Sequence, residues 1–228
     1  NKASFSSDKK LLDAYQYLDS AIKANPDDSE LYLAKAKISS LINKQADSVE
    51  NLNTLVQKQG CTLDDFLVKG DAYTALGNYK SAMAEYDSAI NAAKTLDDKL
   101  FLGEIFTFNK QFDEASVVLG DLLKYDSSNV IAQNNLAYIN KSRTYANAQV
   151  KNARYFRRRN SMFFEREYLN KALKADPYNV DANILMGRLN QRQRKYAPAY
   201  SCYSIVVAKS NDSKVVTKYT KRLNLSLI

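Results

Sequence analysis

The residues best equipped for recognition chemistry in this chain are its ten arginines, and all of them lie between Arg143 and Arg222. The densest run is Arg154-Tyr155-Phe156-Arg157-Arg158-Arg159, joined further on by Arg188, Arg192, Arg194 and Lys195. A guanidinium is a planar fork of N–H donors that meets carboxylate or phosphate oxygens two at a time. Such a cluster is either a site for an anionic ligand or a solvated helix surface. The charge around it is lopsided. Residues 1–128 carry 14 Lys and no Arg against 20 Asp and Glu, a net of −6, whereas residues 129–228 carry 19 Lys and Arg against 5 acids, a net of +14. The two ends suit different partners.

Other chemistries lack their residues. With no histidine in the chain, there is no Ser-His-Asp triad, no Cys-His pair and no His-ligated zinc. Cys61 and Cys202 are far apart in sequence and are expected as free thiols. The glycines Gly70, Gly77, Gly103 and Gly120 are too scattered for a phosphate-cradling loop. The acid pairs Asp27-Asp28, Asp64-Asp65 and Asp97-Asp98 each precede an apolar-periodic stretch. They are expected to cap helices, meeting free N–H groups and the positive dipole end, not to act as catalytic carboxylates. The 16 tyrosines are expected mostly to fill packing positions or lie on helix faces. No enzyme activity, cofactor or metal is expected.

The arginines must be held by helices. Six Gly and three Pro are few for 228 residues, and 121–176 contains neither, which disfavours β structure with its frequent turns. A repeat is the organising signal. From Leu63 to Leu96, Phe66, Gly70 and Tyr73 share one helical face; a turn follows at Leu76-Gly77-Asn78-Tyr79; then Ala82, Tyr86 and Ala89 share another. The small position of the first helix recurs at Ala36, Gly70, Gly103, Ala137 or Ala153, and Gly187. The second-helix triplet recurs as Ala14/Leu18/Ala21, Ser48/Leu52/Leu55, Ala115/Leu119/Leu122, Glu165/Leu169/Ala172 and Ala199/Tyr203/Val206. Pro26 and Pro177 close two units, with Gly60 and Lys94 at the same place elsewhere.

This pattern resembles the tetratricopeptide repeat (TPR) family over nearly the whole chain. The resemblance implies an all-α fold, a right-handed solenoid of antiparallel helix pairs forming a superhelix. Three departures stand out. Residues 8–25 read as a second helix without its first. Glu165 occupies a position meant for a small side chain. The step from Ala137 to Ala153 holds 16 extra residues. That excess admits an extra short helix or one long helix over about 131–159; the long helix is the expectation, because a single extra helix would reverse the hairpin after it. At 1.5 Å per residue it would be roughly 40–45 Å long. The expected organisation is an acidic lobe over 1–129, a connecting helix over 130–160 and a basic lobe over 146–228. An amphipathic stretch from Asp212 to about Leu225 is expected to cap the last repeat.

In the family, fixed positions of each first helix face a concave groove. Carried onto this sequence, they are Asn147, Val150, Arg154, Arg157 and Arg158 in one unit and Asp181, Ile184, Arg188, Gln191 and Arg192 in the next. Earlier units place Glu30, Asp64, Asp71, Asp97 and Glu104 there. The Lys and Asn set with which one subclass clamps a C-terminal carboxylate is not reproduced: Asp71 stands after Gly70 where Asn is needed. The resemblance therefore implies a non-enzymatic scaffold or adaptor binding a protein or peptide with an acidic segment. The expected contacts are Arg154, Arg157, Arg158, Arg188, Arg192, Asn147 and Gln191. Binding of nucleic acid or an anionic membrane surface through the basic half is the alternative. No window of about 18 apolar residues exists to span a membrane. The Asn/Lys/Ser/Tyr-rich composition suggests an AT-rich bacterial genome. The start at Asn1 suggests removal of an upstream segment, which slightly favours export to the cell envelope.

Overall fold

A computed structural model describes the backbone of residues 2–42, 44–59 and 62–225. Among them every regular element is a helix. The chain divides into two compact units, residues 1–92 and 93–228. The first holds α1 (Lys2–Ala24), α2 (Ser29–Leu41), α3 (Gln45–Gln59), α4 (Leu63–Ala75) and α5 (Tyr79–Ala92). The second holds α6 (Leu96–Phe108), α7 (Phe112–Tyr125), α8 (Val130–Arg158), α9 (Met162–Ala175), α10 (Val180–Arg192), α11 (Tyr196–Lys209) and α12 (Ser213–Leu225). Within the second unit α8 packs against α6, α7, α9 and α10. Among the described residues no helix is long and apolar enough to cross a membrane.

Helix starts follow the capping chemistry. Thr62 and Asp65, and Thr95 and Asp98, form reciprocal capping boxes at α4 and α6. The second acid of each pair at 64–65 and 97–98 thus serves a helix terminus. Asn129 and Asn179 cap α8 and α10 by accepting from the amides of Ala132 and Ala182. The ends of α4, α6, α8 and α10 follow one rule. Gly77, Lys110, Asn160 and Arg194 all have positive φ. In each case the next residue's N–H reaches back to Tyr73, Phe106, Phe156 or Asn190 at 2.8–3.1 Å, the Schellman pattern. Each of these turns joins the two helices of a pair.

The pairs α2–α3, α4–α5, α6–α7, α8–α9 and α10–α11 pack most extensively. Their contact is a small residue facing a large one. A Cβ added to Gly70, Gly103 or Gly187 would meet Tyr86, Leu119 or Tyr203 at 2.3, 2.2 and 2.4 Å. Ala36 and Ala153 are fully buried, whereas Ala137 is exposed; Ala153 is therefore the repeat position. This gives the described residues an all-α fold of repeated antiparallel helix pairs. The 16-residue excess is absorbed by α8, which is one continuous helix of 29 residues, about 43 Å long. Ala132, Ile139, Ala146, Val150 and Ala153 form its buried stripe. Of the 16 tyrosines, Tyr15, Tyr86, Tyr203 and Tyr219 are buried, and the others are partly buried or exposed. Cys202 is a buried free thiol whose pKa burial pushes up to about 11; Cys61 lies outside the described residues.

Candidate functional site

The second unit contains an open cavity of about 510 Å³. One wall is the last turn and a half of α8, with Arg154, Arg157 and Arg158; the floor is α10, with Asp181, Ile184, Leu185 and Arg188; the opposite wall is α12, with Val215, Lys218 and Tyr219. The three helices meet because each is the first element of its repeat, so equivalent faces turn to the same side. Arg154, Arg157 and Arg158 recur at i, i+3, i+4, which puts them on one helical face.

Four of the seven expected contact residues share this cavity. Arg154 pairs with Asp181 at 2.9 Å, both side chains about half exposed. Arg188 donates from Nη2 to the Tyr219 hydroxyl at 2.6 Å, and its guanidinium lies 5.9 Å from that ring's centre. Among the described residues the side chains of Arg157, Arg158 and Lys218 have no hydrogen-bonded partner. Five cations with one carboxylate on a concave surface give a strong positive potential.

The structure leads the other three expected residues elsewhere. Arg192 donates to Glu165 at 3.1 Å and to Asn160 at 2.9 Å, tying the α8–α9 turn to the end of α10. Gln191 accepts from the Tyr203 hydroxyl and from Arg222, each at 2.8 Å. Asn147 accepts from Asn179 at 3.0 Å, beside a smaller cavity whose wall also holds Asp113, Arg143 and Asp176. Conversely, Val215, Lys218 and Tyr219 were not expected at the site, since α12 reads as a cap. The signal was available: they follow Asp181, Ile184 and Leu185 by 34 residues, the repeat step.

Glu165 explains Arg192. Its side chain is 1% exposed, in the place a small residue would fill. Burial raises its pKa above the ordinary 4.5 by more than Arg192, Arg157 and Arg166 lower it. A carboxyl with a raised folded value is disfavoured when ionised. Wild-type stability relative to Glu165→Gln should therefore fall as pH rises from 4.5 through the raised value, and the difference should level off below 4.5. Urea midpoints of both proteins across that range check the sign; a wild type that gains on the variant with rising pH would contradict it.

The acidic groove positions of the first unit are partly neutralised. Asp64 pairs with Lys37, and Asp71 accepts from the Tyr86 hydroxyl at 2.7 Å. Burial raises the Asp71 pKa, a shift that hydrogen bond partly offsets.

No protein-family model matches the sequence, and no curated protein does. Solved structures share its helical-repeat character at low identity. YrrB, described as a TPR protein with an unusual peptide-binding site, is 15% identical; the match covers 90% of this chain and 97% of that one, with a TM-score of 0.38. A tetratricopeptide repeat protein from Parabacteroides merdae is 14% identical over 96% of this chain and 79% of its own, with a TM-score of 0.42. PilW, a type IV pilus biogenesis factor, is 14% identical over 96% and 94%, with a TM-score of 0.40. These superpositions are loose and carry no functional weight.

Proposed function

We propose that this chain is a non-enzymatic adaptor whose 93–228 unit binds an acidic segment of a partner protein in the cavity between α8, α10 and α12. The observation that carries the reading is that the side chains of Arg157, Arg158 and Lys218 reach one open cavity and lack hydrogen-bonded partners among the described residues. Surface arginines are usually offset by neighbouring acids; here Asp181 is the one carboxylate lining the cavity, and Glu165, the other acid near Arg157, is already bound by Arg192. Like charges gathered on a concave face repel one another, and a carboxylate-bearing ligand relieves that repulsion. Arginine also forms bidentate bonds with carboxylates, which lysine does not.

The test is fluorescence anisotropy with a labelled nine-residue glutamate peptide at physiological salt. Arg157→Glu/Arg158→Glu should weaken binding by about tenfold or more, since each lost charge-assisted contact contributes roughly 1–3 kcal/mol when desolvated and less at an exposed rim. Equal binding by wild type and variant would mean the arginines are only a solvated surface. A single-stranded oligonucleotide of the same charge serves as the control. Tighter binding of the oligonucleotide, with a steep dependence on salt, would favour the nucleic-acid reading.

A further inference from the structure

The cavity is not uniformly polar. Its floor carries Ile184 and Leu185 from α10, and its α12 wall carries Val215 and the ring of Tyr219. Leu185 and Tyr219 are nearly closed off, at 4% and 2% exposure. Ile184 and Val215 are only partly buried, and both rest on the packed cluster of Tyr203, Val206 and Tyr219. Apolar atoms therefore lie open to solvent between two cationic rims, Arg154, Arg157 and Arg158 on one side and Lys218 on the other. Arg188 lines the same cavity with its Nη2 bonded to the Tyr219 hydroxyl of α12.

A ligand made only of carboxylates would match the rims and leave the Ile184–Val215 strip wet. A ligand with one large apolar side chain between acidic neighbours matches both. A volume of about 510 Å³ is ample for such a side chain with its flanking residues, and it falls within the roughly 300–1,000 Å³ usual for ligand pockets. The support underneath is rigid. Tyr203 and Tyr219 pack with ring centres 5.1 Å apart and planes inclined at 38°, and Arg222 lies 5.8 Å from the Tyr219 ring and donates to Gln191. The apolar strip is thus held in place before a ligand arrives, which lowers the entropic cost of binding.

Resting on the proposed binding of an acidic segment, we infer that the recognised segment carries a large apolar residue with acidic residues on both sides of it, the apolar side chain seated on Ile184 and Val215. The charges set the approach and the apolar contact sets the specificity. The C-terminal helix α12 is then one wall of the binding site, contributing Val215 and Lys218, as well as a cap on the last helix pair.

The experiment uses three labelled nine-residue peptides, each with four glutamates on either side of a central Phe, Ala or Glu. The whole 228-residue chain is titrated at physiological salt. The Phe peptide should bind about tenfold more tightly than the Ala peptide, the effect of burying one large apolar side chain. Ile184→Ser/Val215→Ser should bring the Phe/Ala ratio close to one while leaving affinity for the central-Glu peptide within about twofold; circular dichroism and thermal melting establish that the variant is folded. If all three peptides bind wild type equally, the apolar inference is overturned and the acidic reading survives. If none binds, the acidic reading fails and this inference falls with it. A Phe preference that persists in the double variant places the apolar contact elsewhere and also overturns the inference.

Discussion

Gly187→Ala is expected to destabilise the 93–228 unit by about 1–3 kcal/mol, while Gly120→Ala in the same unit is expected to stabilise it by about 0.5–1 kcal/mol. Both glycines lie inside helices, α10 and α7, so both substitutions gain the roughly 1 kcal/mol by which alanine exceeds glycine in helix propensity. The difference is the neighbour. A Cβ at Gly120 meets nothing within 4 Å. A Cβ at Gly187 would lie 2.4 Å from Cε1 of Tyr203 and 2.9 Å from Cδ1 and Cζ, closer than carbon atoms approach. Tyr203 cannot step aside easily: it is fully buried, its hydroxyl donates to Gln191, and its ring packs on Tyr219. Overpacking therefore outweighs propensity at Gly187. Thermal and urea denaturation of the two variants beside wild type check this. A Gly187→Ala protein as stable as wild type would mean that α10 and α11 do not pack in this register. Gly70, with Tyr86 at 2.3 Å, should behave like Gly187.

The second large effect is expected at Lys209. Its side chain is 5% exposed at the end of α11, and it donates to Glu114 of α7 at 2.7 Å, with Asp113 at 3.7 Å and the Tyr178 ring centre at 5.2 Å. Glu114→Ala leaves a buried ammonium with only the more distant Asp113. Removing one partner of a buried pair typically costs about 3–5 kcal/mol, and Asp113 should hold the loss near 3 kcal/mol. Lys209→Met should cost less, because Glu114 keeps 10% exposure and can draw water. The double variant Glu114→Ala/Lys209→Met should be more stable than Glu114→Ala alone, since it removes the stranded charge together with its partner. A double variant that simply adds the two single losses would show that the pair is not coupled. This contact joins helices 95 residues apart, so its loss should loosen the packing of the whole unit.

Local chemistry made much of this architecture legible before any coordinates. A helix face repeats every three to four residues, so Gly70, Ala82 and Tyr86 declare their packing role by spacing alone. The capping boxes at Thr62 and Thr95 are written within four residues. The long α8 follows from an apolar stripe that only Arg143 interrupts, without Gly or Pro, and its observed span, Val130–Arg158, lies within a residue of the expected 131–159. The choice between Ala137 and Ala153 was not local; it depended on which alanine α9 covers.

Side-chain partners are a different matter, because they are chosen across 12 to 95 residues by groups that no periodicity orders. Arg192 has the spacing of a groove residue, yet a buried Glu165, 27 residues away, claims its guanidinium. Gln191 has that spacing too, yet Arg222 and the Tyr203 hydroxyl take its carbonyl oxygen. Burial decides both cases, since an unpaired polar group inside the fold costs more than a solvated one gains by staying free. The same holds for α12, whose amphipathic pattern marks a buried face, while its role as a cavity wall depends on docking beside α11. Helix identity and repeat register were thus readable from nearest-neighbour spacing. Which arginines remain available to a ligand was settled by the competition among buried polar groups for partners, which exists only once the helices are packed.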